Sequence, residues 1–131
     1  MLSRALMTTS AVFLIGSGAV LNFAPHEMAN QLGVSGGAMA TLVFQLLAGA
    51  LMGLGVVNWM WRANAVGGIY GRAIAMGNTL QFAVGAFGLA RAAGDDSSPM
   101  VWALFGAYLL FAAGFGYVMF FGNPARAQEA C

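Results

Sequence analysis

A chain of 131 residues that is 60% hydrophobic and only 7% charged cannot cover a soluble globule, since such proteins normally carry about 25% charged residues. Its formal net charge of +1 arises from five basic residues, all arginine, and four acidic ones. Scattered arginines do not make the basic stripe that nucleic acid demands, so no nucleic-acid partner is expected. The single cysteine, Cys131, excludes an internal disulfide and any redox relay built on cysteine pairs.

The charges stand at Arg4, Glu27, Arg62, Arg72, Arg91, Asp95, Asp96, Arg126 and Glu129, leaving four long apolar stretches between them. Each comes close to or exceeds the roughly 20 residues that a helix needs to cross a hydrocarbon core. The sequence therefore predicts an all-α, integral membrane four-helix bundle, a single domain over 1–131. Its spans fall at about 5–23, 37–61, 72–90 and 100–121. Little chain remains for a soluble catalytic head, so function is expected in the bundle, its connections or its lipid-facing surface.

The first span, preceded by Arg4, could be mistaken for a secretory signal. Its apolar run exceeds the roughly 7–15 residues of a signal core, and no small-x-small cleavage site follows, so it is expected to remain as a span. The first connection runs from Phe23 to Gly33. Pro25 opens it, Met28 and Leu32 follow at i, i+4, and Gly33 stops it, the pattern of a short interfacial helix in the first exterior loop. His26, the sole histidine, lies in this connection, and a lone loop histidine is too few donors for a haem or metal site. It is expected to be solvated, or to meet a cofactor held by a neighbouring protein.

The second span ends in Trp59 and Trp61 beside Arg62, an interfacial belt, with Asn58 expected at the same level. Gly49 and Gly53 at i, i+4 mark it as a close-packing helix, as Gly85 and Gly88 do the third span. The connection from Arg62 to Arg72 sets Gly67, Gly68 and Gly71 around Ile69-Tyr70, a tight turn with Tyr70 at the headgroups. In the third span Asn78, Gln81, Gly85 and Gly88 form one stripe that should face the bundle interior. Gln45-x-x-x-Gly49-Ala50 is echoed by Gln81-x-x-x-Gly85-Ala86, an echo that alanine-rich and glycine-rich helices produce easily by chance. Arg91 to Pro99, through Gly94 and Asp95-Asp96, reads as a solvent loop. Pro99 opens the fourth span, and Asn123-Pro124 closes it. Phe105, Phe111, Phe115, Phe120 and Phe121 are spread too widely around that helix for one buried face, so some must point outward.

Arg4, Arg62, Arg72 and Arg126 fall on one side of the predicted bundle and Arg91 on the other. The positive-inside rule then places both termini in the cytoplasm, N-in/C-in, across a bacterial inner membrane.

Three uncharged amides inside the spans, Gln45, Asn78 and Gln81, are the candidate site. Two readings stay open. They can bond helix to helix, at about 0.6 kcal/mol per bond on average, or line a small cavity that takes a lipid, quinone or pigment. No intrinsic cofactor and no metal site is expected. Proton-coupled multidrug exporters of this size depend on a carboxylate in the first helix, which is missing here. Four-helix glutathione-dependent enzymes need arginine and glutamate motifs within the helices, and these are missing too. Fluoride channels carry a different polar and phenylalanine pattern.

Phe23-Ala24-Pro25 with Leu32-Gly33, Gln45 with Gly49-Ala50-Leu51-Met52-Gly53-Leu54-Gly55 and Asn58-Trp59, and Gly67-Gly68-Ile69-Tyr70-Gly71-Arg72 with Gly77-Asn78 together resemble small bacterial four-helix membrane proteins of the DoxX-like kind. The resemblance implies an accessory role at a quinol-linked redox complex, and it transfers no catalytic residue. The sequence thus points to a non-enzymatic accessory or assembly subunit of a larger membrane complex, in contact with lipids and partner subunits and able to self-associate. The alternative is a carrier for an apolar small molecule in a pocket lined by Gln45, Asn78 and Gln81. A lipid-modifying enzyme would need a general base that the spans do not hold. A buried pocket with amides turned into it favours the carrier, whereas exposed grooves of glycine and aromatic residues favour the subunit.

Overall fold

The computed structural model describes residues 2–35, 37–64, 69–94 and 97–121. Five helices follow in order: α1 (Leu2–Phe23), α2 (Pro25–Gln31), α3 (Ala38–Trp61), α4 (Ile69–Ala92) and α5 (Pro99–Phe121). The four long ones have 22 to 24 residues, or about 33–36 Å at 1.5 Å per residue. All four are long and apolar enough to cross a bilayer, as in a multi-pass membrane protein. Helix α4 begins before Arg72 and runs through Arg91. Charge limits the apolar window but does not end a helix, because a long side chain can reach toward polar surroundings from its terminal turns.

The long helices associate as two tight pairs, α1 with α3 and α4 with α5, joined to each other by far sparser contacts. The α1–α3 seam has the 3-4 spacing of knobs-into-holes packing. Met7, Ala11, Leu14, Gly18 and Leu21 are buried on α1, and Ala48, Leu51, Gly55 and Asn58 on α3. Lipid gives helices no hydrophobic reason to associate, so fit between small residues decides the contact. A Cβ on Gly18 would lie 2.5 Å from Met52 Cγ and 2.8 Å from the Ala48 carbonyl oxygen. One on Gly55 would lie 2.7 Å from Ile15 Cγ1 and 3.2 Å from the Ala11 carbonyl oxygen.

These two glycines, rather than Gly49 and Gly53, bring the backbones together. Gly49 and Gly53 have no atom within 4 Å of a built Cβ. Gly49 follows buried Ala48 by one residue, a rotation of about 100° that turns it to the outer face. Gly85 does meet a neighbour, since the Tyr108 ring lies over it, whereas a Cβ on Gly88 would touch nothing.

Between the two pairs, an aromatic cluster joins α1 to α4 and α5. Phe13 of α1 sits 5.3 Å from Phe111 and 5.8 Å from Tyr108, both on α5. Phe82 of α4 stacks on Phe111 at 4.8 Å and on Phe115 at 5.9 Å. Phe82 and Phe115 are fully buried, while Phe120 and Phe121 are exposed, as the spread of phenylalanines around this helix required.

Helix α2 ends as its sequence suggested. Gly33 takes φ +68°, its N–H donates to the Asn30 carbonyl at 3.2 Å, and the Val34 N–H reaches back to Ala29 at 2.9 Å. This double bond is the Schellman arrangement, which favours glycine at the left-handed position. Ala29 is buried, Met28 packs against the core, and Ser98 Oγ donates to the Gln31 carbonyl at 2.8 Å. That last bond ties α2 to the residue preceding α5. Residues 65–68 of the second connection, Asp95-Asp96, and the segment 122–131 with Asn123-Pro124, Arg126, Glu129 and Cys131 lie outside the described residues.

Candidate functional site

The two halves of the molecule differ. In the half away from α2, three buried polar side chains close a network across three helices. Asn58 and Asn78 exchange reciprocal amide bonds, each 2.7 Å. The second Asn58 N–H donates to Ser10 Oγ at 3.0 Å, and the second Asn78 N–H to the Ile74 carbonyl at 2.9 Å. Ser10 in turn donates to the Met7 carbonyl at 3.1 Å. Every amide N–H is used, so the network offers a ligand no free donor. It fixes the register of α1, α3 and α4.

In the half next to α2, the pairs separate around a cavity of about 510 Å³. Ligand pockets typically run from about 300 to 1,000 Å³. Its walls are Ser17 and Leu21 from α1, Phe44, Leu47 and Leu51 from α3, Gln81, Gly85, Gly88 and Leu89 from α4, and Val101, Leu104 and Tyr108 from α5. Met28 and Leu32 cover the end at α2. At the floor, the Tyr108 ring meets Phe82 edge-on at 5.3 Å, and Gln81 lines the same cavity from α4. Gly85 makes this seat, because any larger residue would collide with the Tyr108 ring. Gln81 is the thirteenth of 24 residues in α4, so this polar pair stands near mid-helix.

Of the three amides singled out from sequence, only Gln81 lines the cavity. Asn78 is buried in the asparagine network, and Gln45 lies exposed on the outer face of α3, with Gly49 and Gly53. The stripe from Asn78 to Gly88 splits because three or four residues of helix carry it from the network into the cavity. Sequence reading placed Asn58 at the membrane interface and did not mark Ser10 or Tyr108. The signal for Asn58 was its place after Leu51 and Gly55 at 3-4 spacing, which puts it on the buried seam. At that end the Arg62 guanidinium lies 3.9 Å over the Trp59 ring, whereas Trp61, expected beside them at the headgroups, packs against the core with its Nε1 buried and without a partner. Among the described residues, no three of His, Cys, Asp and Glu converge as a metal site would require. No family model, curated protein or solved structure matches the chain.

Proposed function

We propose that this protein is a non-enzymatic membrane carrier or binding protein for an apolar small molecule held between its two helix pairs. The observation that carries the reading is the roughly 510 Å³ cavity, whose walls are apolar but for Ser17, Gln81 and Tyr108. Apolar lining with a few convergent polar groups is the usual make-up of a small-molecule site. The asparagine network and the aromatic cluster hold the other half together. The arginine distribution orients both termini toward the cytoplasm, in a bacterial inner membrane. Helix α2 then lies at the exterior interface.

Purified protein should retain a defined apolar molecule that solvent extraction and mass spectrometry recover in stoichiometric amount. Gln81→Leu, which removes the polar seat, and Leu104→Trp, which fills the cavity, should both abolish retention. Unchanged recovery in both variants, or no recoverable molecule in wild type, would reject the reading.

One observation favours a second reading, the accessory subunit. Gln45, Gly49 and Gly53 lie together on a lipid-facing surface of α3, where an exposed amide and small residues suit a partner helix. Under that reading a DoxX-like role beside a redox complex would follow, and gentle extraction would recover the chain only within a larger assembly.

A further inference from the structure

We propose that the occupant of the cavity is an uncharged, tailed amphiphile that enters from the bilayer between the two helix pairs, with α2 closing the cavity at its end. This rests on the binding reading above and gives that site its ligand chemistry and its route.

The lack of charge in the ligand follows from the lining. Its polar side chains are Ser17, Gln81 and Tyr108, and the rest are apolar or glycine. A phosphate or carboxylate beside Gln81 would lose its hydration with no cation to offset it, a severe cost in an apolar interior. Arg91 cannot serve, since it is exposed ten residues further along α4, about 15 Å by helical rise. An amide and a phenol together donate to and accept from a hydroxyl or carbonyl group, and so suit an uncharged head.

The route follows from which lining residues are also exposed. Gly88 and Ala92 of α4 and Leu47 of α3 border the cavity and the outer surface alike, as do Gly16 and Val20 of α1. Gly16 and Val20 share a face with Phe13, at i+3 and i+7, and Phe13 packs on α5. The cavity therefore reaches the lipid-facing surface along the seams between the pairs. The seams are open at these positions, since a Cβ built on Gly16 or Gly88 would meet nothing within 4 Å.

The end of the cavity is built differently. Met28 and Leu32 lie over it, the Schellman turn fixes how the chain leaves α2, and the Ser98–Gln31 bond latches α2 across to the other pair. A ligand arriving there would have to break that latch. A tailed amphiphile arriving through a seam needs only to slide its head to Gln81 and leave its tail among Gly88, Ala92 and the surrounding lipid.

The test uses the full chain with Cys131→Ser, reconstituted in phosphatidylcholine nanodiscs and irradiated with a monoacylglycerol carrying a diazirine on its acyl chain. A fatty acid with the same diazirine chain is the charged counterpart, and mass spectrometry locates the label. Labelling should concentrate on the cavity segments of α4 and α5, compete with unlabelled monoacylglycerol, and fall at least roughly tenfold with the fatty acid, a modest free-energy preference. Gly88→Trp or Ala92→Trp, each checked for native helicity and monodispersity, should block labelling. A short bismaleimide bridge between Gln31→Cys and Ser98→Cys should leave it intact. Loss of labelling in the bridged protein with retention in both tryptophan variants would overturn the lateral route. Equal or stronger cavity labelling by the fatty acid would overturn the uncharged head while leaving the binding reading standing. If neither probe labels the cavity and extraction recovers no molecule, both the proposal and the reading beneath it fail.

Discussion

Replacing Asn58 by leucine should destabilise the protein more than the size of the change suggests. The substitution removes both amide bonds to Asn78 and the bond to Ser10. Interhelical bonds of this kind average about 0.6 kcal/mol each in a bilayer, so three contribute about 2 kcal/mol. Asn78 then keeps its bond to Ile74 but is left fully buried with an unmatched donor and acceptor, a further cost of about 1–3 kcal/mol. The expected loss is about 3–5 kcal/mol for Asn58→Leu. The Asn58→Leu, Asn78→Leu pair removes the orphaned amide as well, and should be no worse than Asn58→Leu alone. A double-mutant cycle by equilibrium unfolding in mixed detergent and SDS measures this directly. A coupling of about 2 kcal/mol or more is expected, well above the roughly 0.5 kcal/mol within which independent sites add. Additive single effects, or a silent Asn58→Leu, would show that the network does not hold the helices in register.

Gly55→Leu should destabilise the fold by about 1–3 kcal/mol through overpacking, read as a lower thermal midpoint in detergent, because its Cβ would meet the α1 backbone as well as Ile15. Gly49→Leu, facing outward, should be within about 0.5 kcal/mol of wild type. Gly33→Ala places a Cβ at φ +68° and should cost about 1–2 kcal/mol, read as faster hydrogen exchange at Val34 while the α1–α3 seam stays protected. In a Cys131→Ser background, cysteine at Ser97 should react with an impermeant maleimide from outside intact cells, and cysteine at Asn64 only after permeabilisation. The reverse pattern would invert the orientation proposed from the arginines.

Much of the fold was legible because charge is so scarce. The gaps between charged residues located the four long helices, Pro25 and Gly33 bounded α2, and Pro99 opened α5. What stayed hidden was the inner face of each helix. In water an apolar stripe marks the buried side, but here lipid makes the outer side equally apolar, so hydrophobic periodicity is nearly silent. Small and polar residues carry the remaining signal, and it is ambiguous at single positions. Gly49 and Gly55 look alike in sequence, yet one faces outward and the other presses on α1. The same ambiguity divided the amides. Asn78 and Gln81, three residues apart on one helix, entered different structures because Asn58 stood opposite the first and an open seam stood opposite the second. Beyond Gln81, the lining of the cavity was illegible, since it arises from two tight helix pairs failing to close on each other.

Thermal unfolding against a graded concentration of 1-monooleoylglycerol tests whether the space above Gln81 and Tyr108 holds a ligand. A ligand that binds only the folded state stabilises it by RT ln(1 + [L]/Kd), about 2.7 kcal/mol at a hundredfold excess over Kd. Delipidated wild type should show a midpoint that climbs with monooleoylglycerol. Leu104→Trp, with the cavity filled, should show a flat one. A flat wild-type curve, or one that climbs equally in the filled variant, would contradict the account.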